Sequence, residues 1–114
     1  MTSQRRSRLP APVQLGWMLI SFEQNDDALN EKDSGQFVFS KQKVVVSEGL
    51  KGRELVVVVT HELMHAIWLL AGLDVCDGLP TEEQVCSVFG HYLTELEIRN
   101  PKFVEWKERA LEGC

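Results

Sequence analysis

The chain has few cysteines: Cys76, Cys86 and Cys114 are the only three in 114 residues. An odd number with no C-x-x-C pair excludes an even disulfide framework and favours reduced thiols in a cytosolic setting. Long apolar runs are also missing, and none approaches the ~18 residues of a membrane span. The first residues, MTSQRRSRLPAP, carry arginines with no apolar core behind them, so no signal peptide and no membrane attachment are expected. There is no internal repeat and no low-complexity segment. Positive charge is scarce outside the first eight residues: from Leu9 onward nine basic residues face seventeen acidic ones. Such an acidic body argues against nucleic acid as the main partner.

What is present describes one small globular domain. The composition is 44% hydrophobic and 25% charged, and 114 residues suffice for a single modest core. Residues 1–11 read as a flexible basic tail and 12–114 as the domain. Val13 to Phe22 is rich in aromatic and β-branched residues and predicts one strand with Gly16 as a bulge. Glu23 to Gly35 reads as an acidic loop. Gln36 to Ser40 and Lys43 to Ser47 predict two more strands, joined by a tight hairpin at Lys41-Gln42 or fused into one longer strand.

The next segment, Arg53 to Leu70, is RELVVVVTHELMHAIWLL. Its apolar stretch is too long for an ordinary strand, so a helix is expected, apolar nearly all round and therefore central and buried, with a stop at Gly72. Cys76 to Pro80 reads as a loop. Thr81 with Gln84 has the capping-box form and opens a second helix, with Val85, Phe89, Tyr92 and Leu96 as its core stripe. Asn100-Pro101 closes that helix and caps a short third one, Lys102 to Leu111, which offers Phe103, Val104 and Trp106 for packing. The fold class is α+β: a small antiparallel or mixed sheet on a central helix, with two further helices. Trp17, Trp68 and Trp106 are expected in the core or lining a groove.

His61-Glu62-Leu63-Met64-His65 carries the chemistry. Histidines four residues apart lie on one face of a helix, and each can offer a ring nitrogen to one tetrahedral zinc. The glutamate beside the first histidine is then placed to take a proton from an activated water. The bland alternative is a core helix whose polar turn meets water or another polar group. Against it stands the cost of burying two imidazoles and a carboxylate without partners.

A catalytic zinc takes three protein ligands and an open position. Downstream candidates are Glu82, Glu83, His91 and the thiols of Cys76 and Cys86. Glu83 shares a helix face with Cys86, Ser87 and Gly90, small residues that would let another helix approach closely. Glu82 lies nearer the Phe89 stripe and is the next choice. His91 and Tyr92 are candidates to stabilise an oxyanion.

Thr60-His61-Glu62-Leu63-Met64-His65-Ala66, followed by Glu83-Gln84-Val85-Cys86-Ser87-Val88-Phe89-Gly90, resembles the minimal zincin pattern of ImmA/IrrE-type metallopeptidases. It is closer still to small phage and prophage proteins of that type, and SprT-like zincins are more distant. The likeness covers about residues 36–106, with Ser87 standing where the pattern has asparagine. It implies a minimal zincin-like fold in which Zn2+ is held by His61, His65 and Glu83, with Glu62 as general base. The implied activity is hydrolysis of a protein or peptide substrate, held by edge pairing with the strand region 36–47. The family also implies an alternative: a zinc-stabilised regulatory protein that grips one protein partner without efficient turnover.

Overall fold

The computed structural model describes residues 9–75 and 77–112. Four strands and three helices form an α+β unit. The strands are β1 (Val13–Leu15), β2 (Met18–Gln24), β3 (Gly35–Val38) and β4 (Lys43–Val46); the helices are α1 (Gly52–Leu70), α2 (Glu82–Arg99) and α3 (Pro101–Leu111). The sheet order is β1-β2-β4-β3, with β2 and β4 parallel and both outer pairs antiparallel. The sheet is therefore mixed, and β3 is an edge.

The single strand expected over Val13 to Phe22 is two. Leu15 faces Met18 across a turn at Gly16-Trp17, and Gly16 adopts φ 59°, so glycine makes a hairpin turn there and not a bulge. The second expected connection also differs. A 3-10 turn over Phe39–Lys41 joins β3 to β4 and ends at Gln42 in the left-handed region, φ 47°. Neither a two-residue hairpin nor one continuous strand is formed. The side chain of Gln42 accepts the Leu19 N–H at 2.9 Å, which ties this turn to β2.

One core lies between the sheet and the helices. Leu55, Val59, Leu63, Ala66 and Ile67 of α1 meet Val13, Leu15, Met18, Ile20, Val44 and Val46, with Leu96, Phe103 and Trp106 closing the far side. Burying a side chain of this size stabilises the fold by ~1.5–3 kcal/mol, so this face of α1 decides where the helix lies. The helix is not apolar-buried all round: Val57 is 57% exposed, and His61 and His65 face solvent.

Helix α2 starts as expected, with the Thr81 hydroxyl accepting the Gln84 N–H and the Gln84 side chain accepting the Thr81 N–H. Its packed stripe is Val88, Phe89, Tyr92, Leu93 and Leu96. Asn100 does not cap α3 with its side chain. It brackets β1 instead, accepting from Gln14 N–H at 2.8 Å and donating to Gln14 C=O at 2.9 Å. That bracket joins the α2–α3 corner to the sheet edge. Leu9 packs on the core and Pro10 is buried, so the chain meets the folded body before Pro12. The rest of the basic tail, Cys76 and Cys114 lie outside the described residues. Trp106 is core, Trp68 is half-buried and Trp17 is 62% exposed. Among the described residues, no helix is long and apolar enough to cross a membrane.

Candidate metal centre

The helical register of α1 sets the two imidazoles side by side. Their Nε2 atoms are 3.3 Å apart, and the rings meet edge to face at 4.9 Å between centroids. Two nitrogens bound ~2.0–2.1 Å from one tetrahedral zinc stand ~3.3–3.4 Å apart, so the pair fits one edge of that tetrahedron. Without metal the same spacing lets one ring donate its Nε2–H to the other. Potential ligand atoms of His61, Glu62 and His65 all lie within 4.8 Å of one another, and this is the only such group among the described residues.

Exposure separates the three. Both histidines are exposed, so the cost of burying imidazoles does not apply to them. Glu62 is the one buried charged residue described, at 6% exposure. Burial raises its pKa, the positive charges of His65 and His61 and the backbone N–H of Phe37 oppose that rise, and Asp33 adds to it. The Phe37 contact follows from the β3 register. Ser34 C=O accepts from Ser47 N–H, and from there the ladder alternates, directing the peptide groups of Gly35 and Phe37 away from β4. The outward Phe37 N–H favours the charged form of the Glu62 carboxylate. The preceding loop is held in turn: Asp26 accepts from the Ser47 hydroxyl and the Glu48 N–H, both at 2.9 Å.

A cleft of about 460 Å³ opens over the histidines. Phe37, Trp68 and Leu69 form its apolar wall, and Asp33, Gly35 and Gln36 its strand side. A second depression of about 280 Å³ continues past Asp33, Gly35 and Glu62 toward Lys32 and Val57. Sequence reasoning did not single out Asp33, Gly35 or Phe37. Phe37 lies within the strand region 36–47 that the resemblance marks for edge pairing, whereas nothing in residues 33–35 reveals that the strand begins beside Glu62.

Among the described residues, the downstream candidates stand outside the histidine group. Glu83 is exposed on the first turn of α2 and accepts from the Ser87 hydroxyl at 3.3 Å. Glu82, Cys86 and His91 are exposed as well, and His91 meets Tyr92 edge to face. None of these lines the cleft. Glu83, Cys86, Ser87 and Gly90 are all exposed, and among the described residues a Cβ built on Gly90 meets nothing within 4 Å.

No family model matches the chain, and neither a curated protein nor a solved structure matches it.

Proposed function

We propose that the chain is a zinc-dependent metallopeptidase of minimal zincin type, resembling the ImmA/IrrE group. The 3.3 Å Nε2–Nε2 spacing beside a buried glutamate is the observation that carries this reading. His61 and His65 would hold the metal through neutral imidazoles. Bound zinc would supply a Lewis acid for the peptide carbonyl and lower the pKa of a water molecule toward neutrality. Glu62, with its proton affinity raised by burial, would accept the proton from the attacking water and pass it to the leaving amine. The Phe37, Trp68 and Leu69 wall would exclude water on one side and seat an apolar side chain. On the other side the β3 edge offers outward peptide groups to an extended substrate.

Glu83 is the proposed third ligand on the strength of the resemblance. To serve, the first turn of α2 would have to swing toward His61 and His65, because its carboxylate stands outside their group.

A second reading has its own support in that separation. With Glu83 exposed and outside the histidine group, the site suits a zinc-stabilised protein that binds one partner without turnover. Incubation of the zinc-loaded chain with an unfolded protein substrate separates the two. Cleavage by the wild type, with none by Glu62→Gln at equal zinc content, supports the peptidase. Bound zinc with no cleavage supports the binding protein.

A further inference from the structure

Gly35 opens β3, at the strand edge that faces α1. Its φ lies outside the left-handed region, so the backbone does not demand glycine. Space does. A Cβ at this position would stand 2.6 Å from Val58 Cγ1, and 3.3 Å from both Cγ and Oε2 of Glu62. The first distance is an outright overlap, and the second is tight enough to push the carboxylate. On the same strand, the register turns the Phe37 N–H away from β4, and that N–H favours the charged Glu62 carboxylate. Glu62 therefore lies against the bare Cα of Gly35, in space that a side chain there would take.

We infer that Gly35 is a positioning residue for Glu62: the missing side chain lets the carboxylate lie along β3 within reach of the Phe37 N–H, beside His61 and His65. The inference rests on Glu62 serving as the base. It adds a strand residue, distant in sequence, to a site otherwise defined by one helical turn. The expected consequence is directional. Displacing the carboxylate leaves both imidazoles in place, so metal binding survives while proton transfer suffers.

The experiment uses the full chain in two backgrounds, because Gly35→Ala also strikes Val58. Val58→Ala removes that overlap and leaves the Glu62 contact. Gly35→Ala/Val58→Ala is compared with Val58→Ala alone by amide hydrogen exchange and by the amide proton shift of Phe37 in the metal-free chain. The added methyl is expected to speed Phe37 exchange about tenfold and to move its amide shift toward that of Glu62→Gln, as for loss of a hydrogen bond to a charged acceptor. Zinc affinity should stay within about twofold, because neither histidine is displaced. In a protein-cleavage assay kcat should fall about tenfold with KM within about twofold, a split that general loss of structure does not give.

An unchanged Phe37 signal in the double variant would overturn the inference, since Gly35 would then only make room for Val58. Equal loss of zinc affinity and Phe37 protection would overturn it too, by showing collapse of the whole site. The amide readout needs no turnover. A wild type that cleaves nothing counts against the peptidase reading and leaves the placement of Glu62 to be decided by Phe37.

Discussion

Glu62 and Glu83 are both helical glutamates that the proposed zinc chemistry recruits, and they stand in opposite surroundings. Glu62 is buried between α1 and β3, close against Gly35 and with two histidines alongside. Glu83 is exposed on an open helix face, with the Ser87 hydroxyl as a hydrogen-bond partner. The difference lies in what holds each one. The His61–His65 relation is built into a single helical turn, and the α1 core face fixes that turn against the sheet. Bringing Glu83 to the same point depends on how α2 sits on α1, and on the small-residue face that would allow a close approach a Cβ built on Gly90 meets nothing among the described residues within 4 Å. The site is thus assembled on one side and open on the other.

The largest expected effect removes the assembled side. Glu62→Gln should lower peptide hydrolysis by a factor of about a thousand, within the ~10²–10⁴-fold range of a lost general base, while zinc content by elemental analysis stays at the wild-type level. Hydrolysis near the wild-type rate would remove Glu62 from the chemistry. His65→Ala should weaken zinc binding by more than ~100-fold in competition with a chromophoric chelator, beyond what loss of a group that merely supports a ligand costs. Glu83→Gln bears directly on the contrast between the two regions. If α2 closes on the metal, zinc affinity falls by ~10–100-fold, and the two glutamates become parts of one loaded site. Unchanged affinity would keep Glu83 outside it and favour water at the remaining positions.

Smaller effects test the scaffold beneath each region. Leu63→Ala, in the core face under the histidine turn, should cost ~2–5 kcal/mol in denaturant unfolding, as for other buried leucines. Thr81→Ala, which removes the α2 cap, should cost only ~0.5–2 kcal/mol. Equal costs would mean that α2 is held as firmly as α1. The smallest effect concerns pH. Burial raises the Glu62 pKa, so between the ordinary carboxylate value and the raised one the folded chain keeps a proton that the unfolded chain has lost. Stability of the metal-free chain from this group is therefore fully present below that window and is lost as pH rises through it. Glu62→Gln should flatten that slope in unfolding curves collected across mildly acidic pH; a slope unchanged by the substitution would place its source elsewhere.

Much of the fold was legible because it is locally encoded. The uninterrupted apolar run gave α1 within a residue of its observed start, Thr81 and Gln84 marked the α2 cap, and Pro101 marked the start of α3. The α+β class followed from the same segments, while the choice between an antiparallel and a mixed sheet is decided by the parallel pairing of β2 with β4. What failed depends on pairing between distant strands. Gly16 reads as a bulge within one strand until Leu15 is seen opposite Met18. Gln42 gives no sequence sign of its left-handed conformation, which the 3-10 turn before it imposes. Asn100 looked like a helix cap, and only the approach of β1 turns its amide toward Gln14. The site divides along the same line. Spacing within α1 announced His61, Glu62 and His65, whereas Gly35, Phe37 and Asp33 enter through the sheet order, which places β3 at the edge beside α1.

Metal content tests the central claim most directly. The full chain, produced with zinc supplied and dialysed against metal-free buffer, should retain one zinc per chain by elemental analysis, and X-ray absorption at the zinc edge should show imidazole nitrogens at ~2.0–2.1 Å. The His61→Ala/His65→Ala chain should retain none. Wild-type protein that holds no stoichiometric zinc, or a double variant that holds as much as the wild type, would contradict the account.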